Sequence, residues 1–101
     1  MKSYRDLEVW KLSMDLVIDI YEKTNRSPGN ELYGLTSQIK RAAVSIPSNI
    51  AEGSGRKNSK EFIQFLYISK GSLAEVETHL EIAQRLNYLE DISVLLSTAK
   101  R

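Results

Sequence analysis

At 101 residues, with 42% hydrophobic and 27% charged side chains, the chain has room for one domain with one modest core and is too apolar to be disordered. A formal net charge of +1 excludes the strongly basic character of a histone or a ribosomal tail. With no cysteine, disulfides, thiolate zinc sites and thiol nucleophiles are excluded, and a reducing, cytoplasmic setting is expected.

The opening Met-Lys-Ser-Tyr-Arg-Asp has no apolar stretch behind it, so it does not read as a signal peptide. No run approaches the roughly 18 apolar residues of a membrane span. A first helix is predicted from about Asp6 to Lys23. Leu7, Trp10, Met14, Val17 and Tyr21 alternate spacings of three and four, the pattern of a bundle seam. A second row, Val9, Leu12, Leu16 and Ile20, widens the apolar face, and Trp10 is expected to be largely buried. Asn25 to Asn30, with Ser27, Pro28 and Gly29, form a turn-rich connection.

A second helix begins near Tyr33 to Leu35 and carries Leu35, Ile39, Ala42, Ile46 and Ile50 along one side. Pro47 interrupts it, removing a donor and crowding the Ala43 carbonyl at a cost of ~3 kcal/mol in a straight helix. The periodicity resumes in phase at Ile50, so a kinked but continuous helix is expected, ended by Gly53 and Gly55. A third helix opens on Asn58, with Glu61 three residues on as a capping pair. Phe62, Leu66, Ser69, Leu73, Val76, Leu80 and Ala83 then keep a 4-3-4-3-4-3 spacing, with Asn87 as the stop. A fourth helix starts around Asp91 or Ser93 with Ile92, Leu95, Leu96 and Ala99. Its pattern is still running at Arg101, so it reads as shortened, or as a stub that borrows packing from another subunit. The short connections imply one all-α domain over residues 1–101, an up-and-down antiparallel four-helix bundle.

Charge is unevenly placed. Gly34 to Lys60 holds five basic residues against Glu52, about +4, and Glu61 to Asp91 holds six acids against Lys70 and Arg85, about −4. These segments attract each other within the bundle or present opposite faces to partners.

Groups suited to catalysis are few. His79 is the single histidine, and Glu75 to His79 is an i, i+4 pair occurring once, where di-iron bundles need Glu-x-x-His twice. No metal, cofactor or enzymatic activity is expected. Gly53 and Gly55 follow a helix and lack the spacing of a phosphate loop, so they read as a connecting turn.

Two features carry functional content. Gln38, Arg41, Ser45, Asn49 and Glu52 share one face of the second helix. They are either its solvated side or an internal or intersubunit polar network, in which a buried Arg41 needs a carboxylate such as Glu52, Glu75 or Glu77. The second feature is the basic turn Arg56-Lys57-Asn58-Ser59-Lys60, extended by Lys40. At a helix N-terminus it offers a phosphate contact, or it simply solubilises a loop. Phe65 and Tyr67 read as core and not as base-stacking aromatics.

The run GLTSQIKRAAVSIPSNIAEGSGRKNSKEFIQFLYISKGSLAEVETHLEIAQRLNYL, with the opening YRDLEVWKLSMDL, resembles the four-helix-bundle family of 23S rRNA intervening-sequence proteins over nearly the whole chain. The segment Arg41 to Gly53 is the distinctive part. The resemblance implies a homopentamer with a basic surface, in a family encoded within insertions in large-subunit ribosomal RNA genes. It also relates the chain to the accessory proteins of diversity-generating retroelements, which partner a reverse transcriptase and nucleic acid. The chain departs from the family pattern at its C-terminus, where a fuller fourth helix is usual. Two functions are therefore expected as alternatives. One is an oligomer binding RNA or DNA through Lys40, Arg56, Lys57 and Lys60; the other is a scaffold docking a partner enzyme.

Overall fold

The computed structural model describes residues 3–24 and 33–86. Among them the chain forms a 3-10 turn, Tyr4–Asp6, and three α-helices, α1 (Glu8–Thr24), α2 (Tyr33–Ser54) and α3 (Ser59–Arg85), with no strand. The protein is all-α. The expected fourth helix and the stop at Asn87 fall outside the described residues.

Helix α1 starts after a turn that Ser3 organises, its Oγ accepting the Arg5 N–H at 3.1 Å. The buried line of α1 is Ser13, Leu16, Ile20 and Thr24, two members of the second apolar row joined by two hydroxyl residues on the side toward the first row. Burying two hydroxyls there leaves neither unmet. Ser13 Oγ donates to the Trp10 carbonyl at 2.8 Å and Thr24 Oγ1 to the Ile20 carbonyl at 2.7 Å. Trp10, expected inside, is half-buried and meets Tyr4 edge-on at 5.3 Å.

Helix α2 is the spine. Ile39, Ala42, Ala43, Ile46 and Ile50 supply five of the nine residues in the buried cluster, with Leu16 and Ile20 from α1 and Val76 and Leu80 from α3. Both neighbours pack on α2 and not on each other. Both run antiparallel to it: Lys40 meets Tyr21 and Ser45 meets Ser72. The helix is continuous through buried Pro47. Three carbonyls just before the proline take side-chain donors. Ser48 Oγ reaches the Val44 oxygen at 2.8 Å, Asn49 Nδ2 the Ser45 oxygen at 2.8 Å, and Ser69 Oγ, from α3, the Ile46 oxygen at 3.0 Å. These bonds tie side chains to the backbone of the turn that contains the proline, although none of them reaches the Ala43 carbonyl whose helical donor the proline lacks.

Helix α3 begins where the sequence places it. Asn58 is extended (φ −131°, ψ 156°), and its Oδ1 accepts the Glu61 N–H at 2.9 Å, a cap that contributes about 1 kcal/mol. Its buried residues are Ser69, Ser72, Val76, Leu80 and Ala83. At 27 residues it is about 40 Å long, close to the 45 Å long axis of the molecule.

The two long helices approach each other closely at Gly53. A Cβ built there lies 2.5 Å from Phe65 Cβ and 3.0 Å from Phe62 Cδ1. Gly53→Ala is therefore expected to lower stability by about 1–3 kcal/mol through overpacking, despite the better helix propensity of alanine. Urea unfolding checks this; an unchanged or higher midpoint would contradict the close approach.

Candidate functional site

The polar row of α2 divides in the structure. Its middle forms a seam with α3: Ser45 Oγ and Ser72 Oγ lie 2.8 Å apart, and Asn49 Nδ2 donates to Ser45 Oγ at 2.9 Å. One side of this seam opens into a cleft of about 300 Å³, lined by Gln38, Arg41, Ala42, Ser45, Ser72, Glu75 and His79. Gln38, Arg41 and Glu75 are exposed at its rim, while His79 is half-buried with an enclosed Nδ1 that has no hydrogen-bond partner. Glu52 lies further along α2, where it pairs with Arg56 at 3.7 Å.

Within one chain, this geometry joins the middle of the row to α3 and leaves its other members outside any internal network. Ser45 bonds with Ser72 and accepts from Asn49, whereas Gln38, Arg41, Glu52 and Glu75 are exposed. An exposed Arg41 guanidinium stays hydrated, so it needs no internal carboxylate, and it makes no ion pair among the described residues. Ser72 was missed by sequence reasoning. Its spacing of three from Ser69, on the apolar side of α3, was the available signal.

The cationic residues also separate. Arg56, Lys57 and Lys60 are exposed around the turn between α2 and α3. The turn is closed by Gly55 N–H to the Glu52 carbonyl at 3.2 Å and Arg56 N–H to the Gly53 carbonyl at 3.1 Å. Arg56 is held in place by Glu52 and by the Phe65 ring, whose centroid is 4.9 Å from the guanidinium carbon. Lys40 sits sixteen residues earlier on α2, about 24 Å along its axis at 1.5 Å per residue. It is half-buried, with its ammonium 4.8 Å from the Tyr21 ring centroid. Lys40 is therefore not part of the same cluster. Of the two aromatics read as core, Phe65 is half-buried under Arg56, but Tyr67 is 68% exposed.

Among the described residues, no three His, Cys, Asp or Glu side chains converge to hold a metal. No described helix is long and apolar enough to cross a membrane. The fold and site define an all-α protein with a cationic turn joining its two longest helices and a polar cleft alongside them. The chain belongs to the 23S rRNA-intervening sequence protein family, whose sequence profile matches residues 5–100. No curated protein matches the chain.

The seam and the rim should respond differently to substitution. Arg41→Ala is expected to cost under ~1 kcal/mol, as for an exposed charge. Ser72→Val, which removes a bond and overfills a small-residue contact, should cost about 1–3 kcal/mol. Urea unfolding of the two variants gives the order, and a larger loss from Arg41→Ala would return Arg41 to a buried network.

Proposed function

We propose that this protein works by binding and not by catalysis, in the cytoplasm, as a homo-oligomer of four-helix bundles that contacts RNA through the Arg56–Lys60 turn. The observation that carries the reading is the turn itself. Three exposed cations surround the N-terminus of a 27-residue helix, where the helix dipole already favours an anion. The family's association with ribosomal RNA genes supports RNA over DNA as the ligand. In this reading the segment from Asp91 adds the short fourth helix to the three described, and five subunits form the assembly.

Exposed apolar side chains support the oligomer. Val9, Ile18, Ile63, Ile68, Ile82 and Leu86 are exposed large hydrophobics on α1, on α3 and at the end of α3, and an exposed apolar row marks an interaction surface where its members share a face. Ile68, Ile82 and Leu86 fall on the flank of α3 that also bears Glu75 and His79, by their spacings of seven, four, three and four. The same row favours the second reading, a scaffold that docks a partner protein on this flank while the turn keeps it soluble.

Light scattering at micromolar concentration is expected to give a multiple of the 11.5 kDa subunit mass, and a single-subunit mass would contradict the assembly. RNA binding should weaken with salt, by about −0.7 in log–log slope per phosphate contact on single strands and −0.9 on duplex DNA. Replacing Arg56, Lys57 and Lys60 together with Gln should flatten the slope by roughly 2–3 units per engaged subunit, and subunits acting together multiply the effect. Equal slopes for the two proteins would remove the turn from the interface. No binding at low salt would leave the scaffold reading.

A further inference from the structure

The outward face of α3 carries a feature that neither the core nor the turn requires. Tyr67 is 68% exposed, the most exposed large hydrophobic side chain among the described residues. Its face also holds Lys60 and Lys70, both exposed. At 100° per residue these lie within about 60° of Tyr67 around the helix, and the two lysines are about 15 Å apart along it. Glu61, the only acid from Ser59 to Ala74, sits about 120° away around the helix.

Gly71, one helical turn beyond Tyr67, completes the arrangement. It is exposed in the interior of α3, and a Cβ built on it meets nothing within 4 Å. Packing among the described residues therefore gives no reason for glycine, which costs ~1 kcal/mol relative to alanine in a helix. Helical side chains lean toward the N-terminus, so a side chain at position 71 would lie over the turn that holds residue 67. Glycine there leaves the phenol ring uncovered.

We propose that Tyr67 is a stacking platform for an unpaired base of single-stranded nucleic acid, with Gly71 as the open shelf beside it and Lys60 and Lys70 holding the flanking phosphates. An exposed aromatic between cations is the combination that single-strand binders use, since every base has a face to stack while the backbone needs only positive charge. The platform continues from the basic turn through Lys60, which belongs to both. The assignment rests on the nucleic-acid reading above and adds the strandedness of the ligand to it. The ring selects unpaired bases, because a base inside a duplex has no free face.

The test is binding of a single-stranded oligoadenylate and of an RNA duplex of equal length to the wild type, Tyr67→Ala, Tyr67→Phe and Gly71→Leu. Tyr67→Ala should weaken oligoadenylate binding at least about fivefold, the lower end of the stacking range. It should leave duplex affinity and the salt slope unchanged, because the phosphate contacts remain. Tyr67→Phe should bind as the wild type. Gly71→Leu should bind oligoadenylate more weakly yet unfold at a higher temperature, a pairing of signs that damage to the fold does not produce. Wild-type affinity in Tyr67→Ala, or an equal loss on single strand and duplex, would overturn the platform while leaving the RNA reading intact. A change in oligomer mass on Tyr67→Ala would assign the ring to a subunit contact and likewise overturn the platform. Absence of wild-type binding to either RNA would overturn both proposals.

Discussion

The approach of α3 to α2 is the constraint on which the rest of the structure depends. Gly53 lies against Phe62 and Phe65, Ser45 against Ser72, and Ser69 donates to the Ile46 carbonyl. Small side chains let the backbones come close, and each hydroxyl at the contact has a partner, so closeness leaves no polar group stranded. The Ser69 bond has a second consequence. It falls on the carbonyl next to Pro47, so the helix that contains the proline is held at its weakest point by its neighbour.

This seam determines which surfaces remain available. With α2 flanked by α1 on one side and α3 on the other, its core side is filled; Ser45 and Asn49 of its polar row lie in the seam with α3, and Gln38, Arg41 and Glu52 stay exposed. The turn joining these helices then presents Arg56, Lys57 and Lys60 at one end of the molecule, with Arg56 fixed by Glu52 and Phe65. Lys40 is carried to the α1 side by the same geometry and meets Tyr21. Charges close in composition are therefore distant in space.

Much of the helical layout was legible in the sequence, because it follows from local signals. Asn58 with Glu61 located the start of α3, and the in-phase return at Ile50 indicated that Pro47 would not end α2. The face of α1 was legible only in part. Its two apolar rows gave the width of the buried arc, but its centre depends on where α2 sits, and that brought Ser13 and Thr24 inside and left Val9, Met14 and Tyr21 outside. The state of Arg41 was equally illegible, since a polar row beside an apolar stripe fits both a seam and a rim, and here it is both. Tyr67 was misread although the spacing held the answer. The heptad from Phe62 to Ala83 leaves position 67 out of phase, and the aromatic character outweighed that register.

In the proposed function and its extension, one continuous surface, the turn and the outward face of α3, meets the nucleic acid. Covalent footprinting of lysine and tyrosine side chains in the assembled protein, read by mass spectrometry with and without a single-stranded RNA, tests it directly. Lys57, Lys60, Lys70 and Tyr67 should be protected together, while Lys40 and Lys11 keep their labelling. Protection of Lys40 or Lys11 with the turn and Tyr67 unchanged would contradict the account.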